Sequence, residues 1–134
     1  MNTFRLEMLT PERVFFSAEV AGLILESADG NVEILANHAP LVVGLTDGTI
    51  KILLVDGEKI CACGGGFAMV KKETTTVLCQ TLEWPEEIEY NRVQRAIERN
   101  TRKMKEAKSM AEYRLGKMNL VRAFARLRTI KGGK

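Results

Sequence analysis

Residues 83–99, EWPEEIEYNRVQRAIER, mark the point at which one kind of sequence ends and another begins. Before them, apolar residues come in short runs that Gly and Asp interrupt; after them, apolar residues recur every three or four positions. Pro85 suits a first helical turn because its ring presets φ and its missing N–H is not needed there. Three glutamates place negative charge at the positive end of the helix dipole: Glu86, Glu87 and Glu89. The sequence therefore predicts a β-rich domain over 1–84 and a helical domain over 85–134.

Charge is divided unevenly between the two parts. Residues 1–83 contain 6 basic and 11 acidic residues, a net charge of −5, whereas residues 84–134 contain 14 and 6, a net charge of +8. This polarity indicates an acidic partner for the helical part, which could be nucleic acid, a protein surface or a phosphorylated ligand. Charge alone does not choose among the three.

Short apolar runs bounded by turn residues predict about eight to ten strands before residue 84. The runs cover 4–9, 14–27 as two strands joined near Ala21-Gly22, 31–35, 41–45, 49–55, 59–63, 67–70 and 74–82. Gly64-Gly65-Gly66 predicts a tight turn or bulge between two strands, because no Gly-Lys-Ser/Thr follows to make a phosphate loop. The spacing favours an antiparallel β-sandwich or flattened barrel.

Beyond Pro85 the apolar period becomes helical. One stripe comprises Val93, Ala96, Ile97, Asn100, Met104 and Ala107; a second comprises Leu115, Met118, Val121 and Ala125, with a neighbouring row of Leu120, Phe124 and Leu127. Between the stripes, Ser109 and Glu112 fit a capping box in which the glutamate returns to the Ser109 amide. These features predict an antiparallel helical hairpin that must pack on the sandwich or on a partner, since two helices alone bury little. The predicted fold class is α+β, an N-terminal antiparallel β-sandwich followed by this hairpin.

Residues that could carry catalysis or bind metal are sparse. Cys61, Cys63 and Cys79 lie in strand-like runs and His38 is the only other soft ligand, so we expect reduced core thiols and no metal site. No serine resembles a nucleophile elbow, and adjacent glutamates on a helix point apart. The sequence thus predicts no active site. It also lacks a run of ~18 apolar residues and a signal segment, so we expect a reducing, soluble compartment.

The segment 30–41, GNVEILANHAPL, resembles the G-x-x-G-I-x-P-x-H-A-P-L stretch of the epsilon subunit of F-type ATP synthases. Further motifs resemble that family in order and spacing over nearly the whole chain: Thr10-Pro11-Glu12-Arg13, Asp47-Gly48, Gly65-Gly66-Phe67 and Ile88-Glu89-Tyr90-Asn91-Arg92. Each motif is weak by itself, whereas the ordered set is specific. Glu33 and Ala36 depart from the usual Gly and Pro, and both are compatible with a strand that runs into a loop.

The resemblance implies a non-catalytic subunit of the central rotor, at the cytoplasmic face of the bacterial cell membrane and peripheral to it. In the family the sandwich lies against the gamma subunit and the c-subunit ring, where it helps to couple ion flow to ATP synthesis. The rotor interface would then include Asn31, Glu33, His38 and Pro40. The extended hairpin inhibits ATP hydrolysis against the alpha and beta subunits, and the basic residues of this inhibitory helix would be Arg114, Lys117, Arg122, Arg126 and Arg128.

The resemblance also implies that ATP could bind the hairpin as a regulatory ligand, with no cofactor required. ATP-binding bacterial members carry I/L-D-x-x-R-A on the first helix, and residues 88–93 occupy that place here. The implied site residues are Glu83, Ile88, Glu89, Arg92, Val93, Arg99, Arg122 and Arg126. Arg92 and Arg99 share one face of the first helix, and Arg122 and Arg126 share one face of the second. An antiparallel hairpin can therefore bring four guanidiniums to a triphosphate. Glu89 is longer than the usual Asp and Val93 bulkier than the usual Ala, and overfilling a tight site costs about 1–3 kcal/mol.

Two other classes of protein fit parts of the pattern. A nucleic-acid-binding β-barrel with a basic helical tail would account for the +8 charge, but its sheet should carry stacking aromatics and basic residues. The sandwich part instead has a net charge of −5 and few aromatic residues. A small nucleotide hydrolase would account for arginines near carboxylates, but neither a phosphate loop nor metal ligands accompany them.

Overall fold

The computed structural model describes residues 2–132, which form eight strands, a short 3₁₀ helix and two α-helices. The strands are β1 (Phe4–Leu9), β2 (Val14–Val20), β3 (Gly22–Ser27), β4 (Gly30–Leu35), β5 (Leu41–Leu45), β6 (Gly48–Leu54), β7 (Gly57–Val70) and β8 (Thr74–Glu83). The 3₁₀ helix is Pro85–Glu87, and the α-helices are α1 (Tyr90–Lys105) and α2 (Met110–Ile130). The predicted fold class, a β-sandwich followed by a helical hairpin, is confirmed. Met1, Gly133 and Lys134, which the predicted domains include, lie outside the described residues.

The strands form one hydrogen-bonded sheet that folds over into two layers. Its order is β2-β1-β8-β7-β6-β3-β4, and β5 pairs with β7 outside this path. The first half of β7 pairs with β6 and its second half with β5, so β7 belongs to both layers. The pairing of β1 with β8 is parallel, which makes the sheet mixed rather than purely antiparallel as predicted. Parallel neighbours need a long connection, and the whole sandwich between these two strands supplies it.

The glycine triplet 64–66 does not end a strand, so the predicted tight turn between two strands is wrong. β7 runs unbroken from Gly57 to Val70, and the alternation of buried residues shifts by one position there, both in β7 and in the facing part of β8. Gly65 has a φ of 58°, a conformation that glycine adopts without strain. At Gly66 an added Cβ would overlap the Leu78 carbonyl oxygen and lie 2.7 Å from the Cys79 Cα. The glycines therefore allow β7 to bend between the layers while it stays close to β8.

Apolar side chains from both layers fill the sandwich. The largest fully buried ones include Leu6, Met8, Leu23, Leu25, Ile34, Ile50 and Ile52. Cys61, Cys63 and Cys79 are buried and form no disulfide, as predicted. Burial raises the pKa of the Cys61 thiol. The pKa of the Cys63 thiol is raised chiefly by a hydrogen bond with Cys79 and, to a smaller extent, by burial. Cys61 and Cys63 therefore stay protonated, and all three cysteines act as small apolar core residues.

The helical hairpin begins later than the sequence indicates. Pro85 opens the 3₁₀ helix, and α1 itself begins at Tyr90. Ser109 caps α2 as predicted, because its side chain accepts the Glu112 N–H at 3.1 Å. The Glu112 carboxylate, however, accepts the N–H of Lys108 at 2.9 Å and not that of Ser109. Both bonds satisfy amides at the start of α2, so the turn between the helices is well defined.

The second helix buries small residues and not the large apolar residues of its predicted stripes. Its buried residues are Gly116, Ala123, Ala125 and Thr129. Four of the large side chains are instead exposed, Leu115 by 56%, Met118 by 42%, Val121 by 42% and Phe124 by 45%, while Leu120 and Leu127 are half-buried. At Gly116 an added Cβ would lie 3.0 Å from the Met104 Cγ of α1. Close approach of α2 to its neighbours therefore excludes large side chains from the buried side of the helix.

Gly66→Ala should lower the free energy of unfolding by about 1–3 kcal/mol or more, because the new methyl group meets the backbone of β8, which cannot turn away. Gly44→Ala on β5 is the matched control, since a Cβ there meets nothing within 4 Å. Urea denaturation of the full chain measures both variants. Equal loss of stability in the two variants would contradict the role assigned to Gly66.

Candidate functional site

A cavity of about 560 Å³ opens between the end of β8 and the two helices. The residues that line it come from four segments, namely the end of β8, the segment that leads to α1, one face of α1 and one turn of α2. They are Glu83, Glu87, Ile88, Glu89, Arg92, Val93, Arg95, Ala96, Arg99, Ala123 and Arg126. The cavity contains seven of the eight residues implied for an ATP site, and Arg122 is the exception. The sequence motif did not indicate Arg95, which also lines the cavity.

One face of α1 supplies most of the positive charge in the cavity. Arg92, Arg95 and Arg99 are three and four residues apart, so they project from the same side of the helix. Between them, Val93 is buried and Ala96 is half-buried, which gives the cavity an apolar base. Within residues 2–132, neither Arg92 nor Arg99 makes an ion pair. These two guanidiniums are therefore free to bind an anion.

Glu89 occupies the N-cap position of α1, but its side chain makes no capping hydrogen bond. Short side chains such as that of aspartate cap helices well because their oxygens reach the first free amides. The longer glutamate instead directs a carboxylate oxygen toward Arg95, at an N–O distance of 3.8 Å. The change from Asp to Glu in the family motif thus replaces a good capping residue with a loose ion pair at the cavity mouth.

The two arginines predicted on α2 have different partners. Arg126 reaches across the cavity and donates to Glu83 at 2.7 Å. Arg122, one turn earlier, donates to Asp47 in the turn before β6 at 3.0 Å. In this structure Arg122 therefore faces the sandwich and does not line the cavity, whereas Arg126 does. The side chain of Arg122 thus binds a carboxylate of the sandwich that lies 75 residues away in the sequence.

Glu87 holds the segment that leads into α1. Its two carboxylate oxygens accept hydrogen bonds from Arg13 at 2.9 and 3.0 Å, and one also accepts the Trp84 N–H at 2.9 Å. These bonds, with that from Arg13 the largest contributor, lower the pKa of Glu87 below its ordinary value. Glu87 is thus an anchor between the β1–β2 turn and the cavity rim, and not only a charge near a helix end as predicted.

Three of the five basic residues predicted for an inhibitory helix pair with carboxylates of the sandwich. The pairs are Arg122–Asp47, Arg126–Glu83 and Arg128–Glu26, the last with an N–O distance of 3.6 Å. Arg114 and Lys117 are exposed near the start of α2. In this structure the hairpin is therefore docked, and part of its positive charge is neutralised by the acidic sandwich.

The residues predicted for a rotor interface lie at one edge of the sheet. Asn31 and Glu33 are exposed on β4, which ends the strand order. Pro40 is exposed and His38 half-buried in the loop that leads to β5. The His38 Nδ1 lies 2.7 Å from the Ala39 carbonyl oxygen, and Asn37 has a φ of 67°, so this loop has a specific conformation.

The sequence reasoning missed an apolar patch that follows this loop. Val42 on β5 and Phe67 on β7 are exposed. Leu78 pairs with Phe67 on one side and with Leu9 on the other, so the three residues form a row across the sheet. The alternation along β5 contained the signal, but a period of two does not tell which face of a sheet remains uncovered.

Over residues 2–132, no group of three His, Cys, Asp or Glu side chains is arranged to hold a metal ion. In the same range, neither helix combines the length and the apolar character needed to cross a membrane.

Comparison with known proteins adds to this geometry. Residues 3–85 match the family described as "ATP synthase, Delta/Epsilon chain, beta-sandwich domain". The ATP synthase epsilon chain of Ruminiclostridium cellulolyticum is 39% identical over 127 residues, which is 95% of each chain. That of Caldicellulosiruptor bescii is 37% identical over 134 residues, covering 100% of this chain and 98% of the relative.

Two solved structures share the fold. A chain in the cryo-EM structure of Euglena gracilis mitochondrial ATP synthase, OSCP/F1/c-ring in rotational state 1, aligns with a TM-score of 0.83 at 20% identity, over 92% of this chain and 78% of that one. A chain in the central stalk/c-ring structure of Tetrahymena thermophila mitochondrial ATP synthase aligns with a TM-score of 0.70 at 12% identity, over 96% and 97%. At these identities the likeness supports the architecture alone.

Proposed function

This chain belongs to the family of bacterial ATP synthase epsilon chains, and on that premise we propose that it is a non-catalytic rotor subunit whose hairpin restrains ATP hydrolysis and binds ATP as a regulatory ligand. It would act at the cytoplasmic face of the cell membrane, attached only through the complex, and help to couple ion flow to ATP synthesis. The observation that carries the regulatory part is the cavity, which brings together seven of the eight residues implied by the family motif.

The chemistry of the cavity suits a nucleotide triphosphate. The guanidiniums of Arg92 and Arg99 face it without competing ion pairs in the described chain, and each charge-assisted hydrogen bond contributes about 1.5–3 kcal/mol. Ile88 and Val93 offer an apolar surface to a base, while Glu89 offers a carboxylate acceptor to the adenine amino group. Because arginines neutralise the phosphates, this mode of binding requires no magnesium ion.

The cavity is large enough for a small molecule even though Val93 is bulkier than the alanine usual at this position. Small-molecule sites in proteins usually enclose about 300–1,000 Å³. The cavity has about 560 Å³ although valine replaces the usual alanine, so the added methyl groups reduce the space without closing it. The Glu83–Arg126 ion pair is the larger obstacle, because a ligand that uses either group must compete with a contact of 2.7 Å.

Calorimetry of the full chain with ATP in the absence of magnesium should show binding at one site. Arg92→Ala and Arg99→Ala should each weaken it about ten-fold or more, the loss expected for one charge-assisted hydrogen bond. Lys105→Ala, which removes an exposed charge from the same helix outside the cavity, is the control. The absence of heat at millimolar ATP, or binding that neither arginine variant affects, would contradict the site.

Restraint of hydrolysis is supported by the exposed face of α2. Leu115, Met118, Val121 and Phe124 follow one another at intervals of three residues, so they form an apolar strip that winds around α2 and is exposed in the described chain. Contiguous exposed apolar surface commonly marks a protein interaction site. Arg114 and Lys117 add positive charge next to it, which suits the acidic beta-subunit loop that the family resemblance implies as the partner surface.

The double variant Val121→Ser with Phe124→Ser should raise ATP hydrolysis by the assembled enzyme. Loss of one anchoring side chain costs an interface about 1–2 kcal/mol, which lowers the equilibrium constant for the inhibited form roughly ten-fold. Both residues are exposed in the docked hairpin, so the chain should still fold and assemble. Val55→Ser, which also removes an exposed apolar side chain but from the sandwich, is the control. Unchanged hydrolysis with the variant still bound would remove this face from the inhibitory mechanism.

The sandwich is proposed to bind the gamma subunit and the c-subunit ring. The predicted residues Asn31, Glu33, His38 and Pro40 lie at one edge, and the apolar patch of Val42 and Phe67 follows them. Polar residues at a sheet edge and an apolar patch that follows them along the chain supply the two kinds of surface that a typical interface combines, a polar rim and an apolar centre.

Single cysteines at Asn31 and His38 should crosslink to gamma or c subunits in the assembled enzyme. The native thiols can remain in place, because all three are buried and their reactivity is low. Glu19→Cys is the control, since Glu19 is exposed on β2 at the opposite end of the strand order. Crosslinking of Glu19→Cys but not of the other two variants would show that the interface lies at the opposite end of the strand order and would contradict the proposal.

A further inference from the structure

Arg95 lines the cavity although the family motif does not include it. It lies three residues after Arg92 and four before Arg99, so all three side chains project from one face of α1. The neighbouring Ala96 is small and also lines the cavity, which leaves room for long side chains on both sides. The face of α1 toward the cavity therefore holds three guanidiniums and not two.

The ion pair of Arg95 is weak and easily exchanged. Its nitrogen lies 3.8 Å from the Glu89 carboxylate, and the two side chains are 64% and 62% exposed. Pairs of this kind contribute little, because water competes for both partners and the long side chains lose rotamer freedom. A phosphate group at the cavity could replace the Glu89 carboxylate without leaving any charge buried.

Arg122, unlike Arg95, makes a short ion pair with a carboxylate that is largely buried. It meets Asp47 at 3.0 Å, and the Asp47 side chain is only 12% exposed. Moving Arg122 into the cavity would leave a largely buried carboxylate without its partner, which is strongly unfavourable. Arg122 also lies on the side of α2 that faces Ala62, Cys63 and Gly64 of β7.

We propose that Arg95 is a phosphate-binding residue of the cavity, so that the polyphosphate of a nucleotide is held by Arg92, Arg95 and Arg99 along one helix, while Arg122 serves to dock α2. This inference rests on the proposed ATP site and refines it. The fourth guanidinium is that of Arg126, which faces the same cavity from α2 but is held by Glu83.

The test compares Arg95→Ala with Arg122→Ala and Arg102→Ala in the full chain, by calorimetry with ATP and, separately, with inorganic triphosphate. Arg102 is exposed on α1 and does not line the cavity, so its variant reports the effect of net charge alone. Arg95→Ala should weaken the binding of both ligands about ten-fold or more, and Arg102→Ala much less. Arg122→Ala should lower the midpoint of thermal unfolding of the hairpin, followed by circular dichroism, with a smaller effect on affinity than Arg95→Ala.

Each other outcome has a definite meaning. If the wild-type chain binds neither ligand, both the proposed ATP site and the role of Arg95 are wrong. If it binds ATP but Arg95→Ala binds as tightly as wild type or as Arg102→Ala, the ATP site remains and the role of Arg95 is wrong. If Arg122→Ala weakens binding more than Arg95→Ala without a change in thermal unfolding, Arg122 binds ATP, as the family resemblance implies. This inference is then overturned. Triphosphate binding that depends on Arg95 in a chain that does not bind ATP would support the phosphate site and contradict the nucleotide.

Discussion

Three arginines of α2 meet three carboxylates of the sandwich, and the position of the whole hairpin depends on these contacts. The pairs join Arg122 to Asp47, Arg126 to Glu83 and Arg128 to Glu26, at N–O distances of 3.0, 2.7 and 3.6 Å. The residues that α2 buries beside them are small, so the apolar area that docking removes from water is limited. Because α2 contributes Ala123 and Arg126 to the cavity, the cavity has its observed shape only while the hairpin is docked.

The strength of these contacts is suited to a reversible arrangement. Release of the whole hairpin returns both partners of each pair to water, so each pair contributes only about 0–1 kcal/mol to docking, far less than the apolar core contributes to the folding of the sandwich. A ligand that binds only the docked form at one hundred times its dissociation constant stabilises that form by about 2.7 kcal/mol. The three ion pairs together, at roughly 0–3 kcal/mol, and the stabilisation by the ligand are therefore of similar size. Under the proposed function, ATP could therefore shift the hairpin between docked and released forms without unfolding the sandwich.

The second helix has two faces with different chemistry. One side carries alanine, threonine and the paired Arg122 and Arg126 toward the sandwich, whereas Val121 and Phe124 are exposed on the other side; Leu115 and Met118 are exposed nearer the start of the helix. A helix whose larger apolar face is uncovered has only part of its stabilisation within its own chain. The acidic sandwich, with a net charge of −5, thus competes with any other partner for a hairpin of +8.

The sequence by itself determined most of the strands, the change to helix near Pro85 and the hairpin, because these follow from local periods and turn residues. Its resemblance to the family motif indicated seven of the residues that line the cavity. It did not determine the continuous bend at Gly64–Gly66, the parallel pairing of β1 with β8, the buried face of α2, or the different partners of Arg95 and Arg122. A helical period shows which residues share a face, but only the folded chain decides what that face meets. Asp47 lies 75 residues from Arg122 and Glu83 lies 43 residues from Arg126, and contacts at such separations are set by the tertiary structure alone.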